Sequence, residues 1–335
     1  MHSHASREIA ASTKRCLVLG GGGFIGSHLT RALLEHGYYV RCFERPHTGA
    51  SCAQAIEHPN FELFQGDFVN PLDLACALEG VDVCFHLVST TLPKSSNADP
   101  AFDVETNLLG TVRLLTQAVK SGVTKVIFVS SGGTVYGVPQ AVPVPETHPT
   151  NPVCSYGIAK LAIEKYLALF HQQHGLDYAV LRLANPFGEG QRAESGQGAV
   201  AVFLGRILRG ETLEVWGDGS VIRDYIYIED VVTALLLSID LKGSERLFNI
   251  GSGRGHSINE VLDVLERTVG QPAIRRYRPG RSFDVPASVL CIESARRSLG
   301  WSPKVDFEEG VERFAAWMKR ELAAQSLLAI GGYSG

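Results

Sequence analysis

Residues 14–26 read KRCLVLGGGGFIG, and this stretch decides the fold of the chain. The apolar run from Cys16 to Leu19 is followed at once by four glycines and then by a segment with apolar residues at helical spacing. The pattern predicts a buried strand, a glycine turn and a helix. The glycines fit both G21-x-G23-x-x-G26 and G20-x-x-G23-x-x-G26, spacings that let the backbone approach a pyrophosphate at a helix N-terminus.

A second predicted strand, residues 38–43, ends in Glu44. A dinucleotide-binding fold needs an acid about 20 residues beyond its glycines to bind the adenosine ribose hydroxyls. We therefore interpret Glu44 as favouring NAD over NADP. The adjacent Arg45 keeps NADP open, because an arginine there can accept a 2′-phosphate. Without the glycines, Glu44 would be only a solvated strand end.

The composition describes an ordinary globular chain. With 335 residues, 45% of them hydrophobic, it is long enough for a large core and a second lobe. A net charge of -4 without a long basic run argues against a nucleic-acid partner. The seven cysteines show no metal-ligand spacing, so we expect no metal and read them as reduced core residues of a cytoplasmic protein.

No part of the sequence has the pattern of a membrane or secretion signal. Residues 1–13 are polar, which predicts a flexible leader rather than a signal peptide. No segment approaches the roughly 20 apolar residues of a membrane span, so we expect no membrane partner.

Continuous apolar strands alternate with helices through the first half of the chain, as in an α/β fold with a doubly wound Rossmann parallel sheet. We predict an NAD-binding domain over residues 14–184. Beyond it the regular alternation of strands and helices ends. Residues 185–330 are expected to form mainly a smaller C-terminal α/β substrate-binding lobe, with some segments returning to the Rossmann domain. The predicted strands are 16–19, 38–43, 61–67, 81–88, 126–131 and 178–183, and the main helices are 71–79, 102–121 and 155–174.

Tyr156 and Lys160 stand four residues apart at the start of a predicted helix, so their side chains share one side. A phenol titrates near 10, and using it as a base near neutrality requires lowering its pKa by about three units, roughly 4 kcal/mol. A neighbouring ammonium and a cationic nicotinamide could supply this. The alternative is a packed aromatic and a solvated charge. The six Rossmann strands favour catalysis.

Several separated motifs accompany this pair. They are GDF at residues 66–68, HLV at 86–88, NLLGT at 107–111, SSGGTVYG at 130–137, SYGIAK at 155–160, LRLANPFGEGQ at 181–191, GDGSVIRDYIYIEDV at 217–231 and FNIGSG at 248–253. From residue 14 to about residue 320 the chain resembles the extended short-chain dehydrogenase/reductase superfamily, and within it the NAD-dependent nucleotide-sugar epimerases typified by UDP-glucose 4-epimerase.

The resemblance implies a function and a set of site residues. A catalytic tyrosine, Tyr156, would take the proton of a sugar 4-hydroxyl, and a transient 4-keto sugar of a UDP-sugar substrate would be reduced on its other face. It also implies a homodimer paired through helices 102–121 and 155–174. The NAD contacts would be Gly20, Gly23, Phe24, Ile25, Glu44, Arg45, Asp67, Phe68, Leu87, Asn107, Tyr156 and Lys160, and the nucleotide and diphosphate contacts Asn185, Arg223, Arg281 and Asp284.

Three positions depart from the family pattern or refine it. Gly132 stands where the family carries a proton-passing hydroxyl, so Ser131 or Thr134 takes that role, a water substitutes, or catalysis is weak. Gly133 and Thr134 replace the Asp-Glu pair of the family's dehydratases, which disfavours 4,6-dehydration. Ser288 is small where epimerases restricted to plain hexoses are bulky, so UDP-N-acetylhexosamines are predicted substrates as well.

Other functions remain open from the sequence. A nucleotide-sugar reductase or a uronate epimerase or decarboxylase would share this architecture. A cofactor-sensing protein without catalysis is favoured only by Gly132, and the intact Tyr156, Lys160, Arg223 and Arg281 weigh against it.

Overall fold

The structure is a computed structural model that describes residues 14–46, 56–193, 198–280 and 285–331. The predicted leader, residues 1–13, lies outside these ranges. The described residues form two compact units. The first comprises those up to Ser130 together with Val153–Leu181 and Leu235–Arg246, and the second comprises Ser131–Pro152, Arg182–Ala234 and the chain from Leu247 onward.

The elements follow one another along the chain as alternating strands and helices. The strands are β1 (Arg15–Leu19), β2 (Tyr39–Glu44), β3 (Phe61–Gln65), β4 (Val83–His86), β5 (Lys125–Ser131), β6 (Asp177–Leu183), β7 (Asn185–Phe187), β8 (Thr212–Trp216), β9 (Ile222–Tyr227), β10 (Leu247–Ile250), β11 (Gly255–Ser257), β12 (Ile274–Arg278) and β13 (Ala287–Ser288). The helices are α1 (Phe24–Glu35), α2 (Pro71–Ala77), α3 (Pro100–Asp103), α4 (Gly110–Lys120), α5 (Ser155–His174), α6 (Ala199–Leu208), α7 (Ile228–Leu237), α8 (Ile258–Val269) and α9 (Phe307–Gly331), with π-helical segments at Val104–Leu109 and Ala295–Leu299.

A seven-stranded sheet has the order β10-β6-β5-β4-β1-β2-β3. Strand β1 lies between β2 and β4 and pairs with both in parallel register. The last four residues of β1 are fully buried, as expected when helices cover both faces of a parallel sheet and the strands become continuous apolar runs. The predicted Rossmann-type α/β fold is confirmed.

The glycine turn between β1 and α1 is fixed by close backbone contact. Gly20 has φ +83°, in the left-handed region that favours glycine. A Cβ on Gly26 would lie 2.1 Å from the carbonyl oxygen of Gly20. That same oxygen accepts a hydrogen bond from the Gly23 amide at 3.1 Å. The strand can therefore turn into the helix within four residues only when no side chain stands at Gly26.

The helix predicted over residues 102–121 forms, with an internal change of pitch. It runs as α3, then the π-helical segment Val104–Leu109, then α4. Gly110 begins α4 directly against the ring of Phe68, with 2.7 Å between its ideal Cβ position and Phe68 Cε1. The wider turn places Asn107 inside the unit, where it is buried.

The second unit contains small sheets. In one, β9 lies between β11 and β13 and also pairs with β7, and in the other β8 pairs with β12. The S-x-x-E pattern of residues 257–260 is typical of a capping box, and Ser257 and Glu260 do exchange side-chain and backbone hydrogen bonds at the start of α8. The sequence reading did not find β8 or β12. Charged residues and exposed side chains dominate β12, IRRYR, so its pattern lacks the alternation that marks a half-buried strand.

None of the described helices has the combination of length and apolar composition that crossing a bilayer requires.

Replacing Gly26 by alanine tests the glycine turn. We expect Gly26→Ala to lower the free energy of unfolding by about 3 kcal/mol, because the new methyl group meets backbone atoms that cannot rotate away. Denaturant unfolding measures the change. The matched control is Gly133→Ala, which has open space at its Cβ position and is expected to change stability by less than about 0.5 kcal/mol. Equal effects of the two substitutions would contradict the steric argument.

Candidate active site

The N-terminus of α1 is open to an anion. Gly23 is the N-cap residue, and no side chain caps the helix. Leu87 and Val88, which follow β4, lie beside Gly20, and Val88 N is 3.6 Å from the position of a Gly20 Cβ. Unpaired amide groups at a helix N-terminus, reached over glycines, suit a phosphate group.

The predicted adenosine contacts lie at the ends of β2 and β3. Glu44 is the last residue of β2 and pairs in register with Gln65, and Arg45 follows it and is exposed. Asp67 is held by its backbone amide, which donates to Asp73 Oδ2 at 2.7 Å. The ring of Phe68 is buried with 2% exposure and stacks obliquely on His86. Phe68 therefore offers a ligand its backbone, while its ring belongs to the core.

The side chain of Asn107 forms its hydrogen bonds with other residues of the protein. Its Oδ1 accepts from the Thr90 amide at 2.9 Å, and its Nδ2 donates to Thr91 Oγ1 and Asp103 Oδ1 at 3.2 and 2.9 Å. These bonds fix the loop that follows β4 to the helical segment. Asn107 thus shapes the loop wall beside the predicted cofactor site.

Tyr156 and Lys160 lie on one side of α5. The phenol of Tyr156 is hydrogen-bonded to the Ser89 side chain, in the loop after β4. Lys160 Nζ lies 5.5 Å from the centroid of the Tyr156 ring and 4.7 Å from that of Phe128. It donates a hydrogen bond to the Val129 carbonyl oxygen at 3.0 Å. The ends of β4 and β5 therefore place a phenol, a hydroxyl and an ammonium together.

Burial controls the protonation of this pair. Burial raises the pKa of Tyr156 to about 12, and Asp103 contributes to the rise while the Ser89 hydrogen bond opposes it. Burial lowers the pKa of Lys160 to about 8, opposed by the carboxylates of Asp103 and Glu164. The ammonium alone does not make the phenol a base near neutrality. A phenol with a pKa of about 12 stays protonated near neutrality.

The second unit holds the predicted hydroxyls Ser131 and Thr134. The Thr134 amide donates to the Ser131 carbonyl oxygen at 3.3 Å, and Thr134 Oγ1 is buried with no hydrogen-bond partner among the described residues. Gly132 is tightly packed. A Cβ there would lie 2.6 Å from Leu290 Cδ1 and 3.2 Å from the Leu183 carbonyl oxygen. A leucine side chain thus occupies the space beside Gly132, where the sequence resemblance led us to expect a hydroxyl.

Three of the predicted substrate residues, Asn185, Arg223 and Ser288, lie on β9 or on strands paired with it. Arg223 pairs in register with Ser288 of β13, and its Nη1 donates to the Val285 carbonyl oxygen at 2.7 Å. Asn185 Nδ2 donates to the Asp224 carbonyl oxygen at 2.8 Å. The remaining two predicted contacts, Arg281 and Asp284, lie outside the described residues.

Comparison with known proteins identifies the family of the chain. The sequence profile of the NAD dependent epimerase/dehydratase family matches residues 16–251. The chain belongs to this family. It is 36% identical over 311 residues to the UDP-glucose 4-epimerase of Mycolicibacterium smegmatis, covering 92% of this chain and 99% of that protein.

Two solved structures are also similar. The UDP-glucose 4-epimerase of Thermotoga maritima, solved with UDP-glucose, has a TM-score of 0.85 and 37% identity over 92% of this chain and 99% of that one. The UDP-glucose 4-epimerase of Thermus thermophilus, solved with NAD, has a TM-score of 0.83 and 32% identity over 91% and 99% of the two chains. The expected family is confirmed, and NAD is its cofactor.

The glycine turn of this epimerase/dehydratase family member fits NAD. The backbone at Gly20 and Gly23 carries no side chain that would block a pyrophosphate, and the uncapped start of α1 supplies amide donors. Glu44 is placed at the end of β2, where the fold binds a ribose.

Sequence reasoning missed several residues of the site. Ser89, Asp103 and Glu164 surround the Tyr156–Lys160 pair without belonging to any quoted motif. Their places in the sequence could have indicated them. Ser89 follows β4, Asp103 lies in the next helix, and Glu164 is one turn beyond Lys160. The carboxyl ends of adjacent parallel strands meet at one edge of the sheet. In the second unit, buried Asp224 was missed. It accepts hydrogen bonds from the amides of Ser252 and Leu290.

The packing of Gly132 against Leu290 yields a double-mutant test. We expect Gly132→Ser to lower the free energy of unfolding by about 1–3 kcal/mol, because its Cβ overlaps a buried leucine. In a Leu290→Ala background the same serine should cost less, since the overlapping methyl group is gone. Denaturant unfolding of the four proteins measures the coupling. Additive effects would show that Leu290 is not what closes the position.

Proposed function

We propose that the chain is an NAD-dependent UDP-sugar 4-epimerase that interconverts UDP-glucose and UDP-galactose through a transient 4-keto sugar. The observation that carries this proposal is the placement of Tyr156 and Lys160 on α5, with the phenol bonded to Ser89. A phenol that is proton donor in one half-reaction and acceptor in the other suits an alcohol that is oxidised and then reduced at the same carbon.

The chain's own residues supply acid–base chemistry and positioning. Bound NAD would supply the reversible oxidation of the sugar C4 alcohol. It would be held by the glycine turn and Glu44, with Lys160 beside it. Tyr156 would take the proton of the 4-hydroxyl and return it to the same oxygen when the ketone, turned about its diphosphate link, is reduced on its other face. Lys160 holds a positive charge near the phenol, which favours the phenolate.

The second unit would bind the nucleotide part of the substrate. Arg223 is a planar cation suited to a diphosphate, and Asn185 lies on the neighbouring strand β7. Arg281 and Asp284 remain predicted contacts. Ser131 and Thr134 remain the predicted proton carriers, and the unpartnered Thr134 Oγ1 supports Thr134.

The small side chain of Ser288 supports a wider substrate range. It stands in register with Arg223 on the same small sheet. A serine leaves volume that a bulky residue would fill. We therefore include UDP-N-acetylglucosamine among the proposed substrates.

The free cysteines support the proposed cytoplasmic location. Cys16, Cys42 and Cys84 are buried and unpaired with one another, as in proteins of a reducing compartment.

Incubation with a panel of UDP- and dTDP-sugars, read by NMR, tests the proposed function. We expect interconversion of UDP-glucose and UDP-galactose with no net change in absorbance at about 340 nm, because the cofactor returns to its oxidised state in each cycle. Tyr156→Phe should lower the rate by at least about 100-fold while NAD is still retained, because only the proton acceptor is removed.

The control for Tyr156→Phe is Tyr166→Phe, which lies about three turns further along α5 and is partly exposed. It should epimerise at the unmodified rate. Net consumption of NADPH would identify a reductase instead, and loss of carbon dioxide from a UDP-uronate would identify a decarboxylase. Turnover of UDP-glucose without turnover of UDP-N-acetylglucosamine would reject the role given to Ser288.

We propose further that the chain is a homodimer. The helices α3 and α5 and the π-helical segment that follows α3 carry exposed large apolar side chains, which a second copy would cover. They are Phe102, Val104, Leu109, Ile158, Tyr166 and Leu169.

Ile158→Glu tests the dimer. A charge placed at this exposed apolar position should convert a dimer into a monomer, measured by light scattering after size exclusion. Leu72→Glu, which changes an exposed leucine on α2, is the matched control and should leave the mass unchanged. A monomeric unmodified protein, or a dimer that survives Ile158→Glu, would reject this surface as the interface.

A further inference from the structure

Asp103 is a fully buried carboxylate that the proposed reaction does not use. It lies at the end of α3 with no exposed surface. One carboxylate oxygen accepts hydrogen bonds from Thr91 Oγ1 and from Asn107 Nδ2. The other accepts from Ser155 Oγ at 2.6 Å. The Asp103 side chain is thus hydrogen-bonded by donors from three separate segments.

These donors connect the loop after β4 to the start of α5. The N-cap residue of α5, Cys154, makes no side-chain capping bond. Its role is taken from outside the helix, because the Ser155 amide donates to Asn97 Oδ1 at 2.9 Å and the Tyr156 amide donates to Ser96 Oγ at 3.1 Å. The bond from Ser155 to Asp103 completes the attachment. The backbone that carries the Tyr156 phenol is therefore fixed by the same loop that supplies Ser89.

The charge of Asp103 also acts on Tyr156 and Lys160. Its charge raises the pKa of Tyr156 and that of Lys160. The other charged or titratable groups that act on the pair are Cys154 on Tyr156 and Glu164 on Lys160. His86, buried beneath Lys160, has its pKa lowered to about 3 by burial and by that ammonium, so it stays neutral.

We propose that Asp103 is a positioning residue that, through its hydrogen bonds to Thr91, Asn107 and Ser155, fixes Tyr156 against the loop after β4. The consequence for turnover rests on the proposed epimerase function. The effect of the Asp103 charge on Lys160 does not, since both groups belong to the free protein.

The test compares Asp103→Asn with Thr91→Val. Asparagine has the same shape, can accept from Thr91 and Asn107, and can donate to the Ser155 hydroxyl, which also accepts. It removes the charge and keeps the connections. Thr91→Val removes one hydrogen bond to Asp103 and keeps the charge. Lysine ¹³Cε NMR follows the titration of Lys160, and the resonance is assigned by its absence in Lys160→Met.

We expect the Lys160 midpoint to fall by about one pH unit in Asp103→Asn and to stay in place in Thr91→Val. If the protein epimerises, the alkaline limit of kcat/KM should fall with it. If the midpoint is unchanged in Asp103→Asn, or changes equally in both variants, the proposed effect of the Asp103 charge on Lys160 is overturned. This result is readable even if no sugar is turned over, which separates it from a failure of the proposed function.

The positioning part has its own variant. Ser155→Ala removes the bond between α5 and Asp103 without changing any charge. It should lower kcat by about tenfold, since the phenol loses its fixed position, and leave the alkaline limit where it is. Unchanged kcat in both Ser155→Ala and Thr91→Val would overturn the positioning role, including the case in which Asp103→Asn does not fold.

Discussion

The buried ammonium of Lys160 is the constraint on which the packing of the first unit depends. Removing a charge from water is costly unless it is paired and hydrogen-bonded. Lys160 meets this cost through the Val129 carbonyl oxygen, the face of Phe128 and the carboxylate of Glu164, which in turn accepts a hydrogen bond from Ser130 at 2.6 Å. These partners sit on β5 or one turn along α5. The helix can therefore take only one rotation against the strand.

The position of the phenol depends on that rotation and on Asp103, which lies at the other end of the same group of charged side chains. Asp103 attaches the first residue of α5 through Ser155, and Glu164 balances Lys160 from within the helix. In a low-dielectric interior each of these charges has a large effect on the others. Burial is the main reason why the pKa of the phenol rises to about 12, and the charge of Asp103 adds to that rise.

The second unit uses a buried carboxylate in a comparable way. Asp224 lies within β9, next to Arg223, and burial raises its pKa to about 6. It accepts hydrogen bonds from the Ser252 amide and hydroxyl and from the amides of Gly253 and Leu290. Two loops are thereby held to the strand that carries the predicted diphosphate contact. One of them carries Leu290, whose side chain packs against Gly132.

Much of the fold was readable from the sequence because it depends on neighbours along the chain. The glycine turn at Gly20 and Gly26, the buried parallel strands and the capping box at Ser257 are all consequences of steric or hydrogen-bonding rules over a few residues. The polar strand β12 escaped this reading, because its pairing with β8 is made through the backbone.

The same division holds for the site. The sequence alone determined the dinucleotide-binding turn, Glu44 at the end of its strand, and the four-residue spacing that puts Tyr156 and Lys160 on one side of a helix. Only the tertiary structure decided that the Phe68 ring is core, that Asn107 binds a loop, and that Asp103 joins three segments. The reason is distance along the chain. A buried carboxylate whose donor lies 52 residues away leaves no periodic trace in the sequence, because its partners become neighbours only when the strands and helices pack.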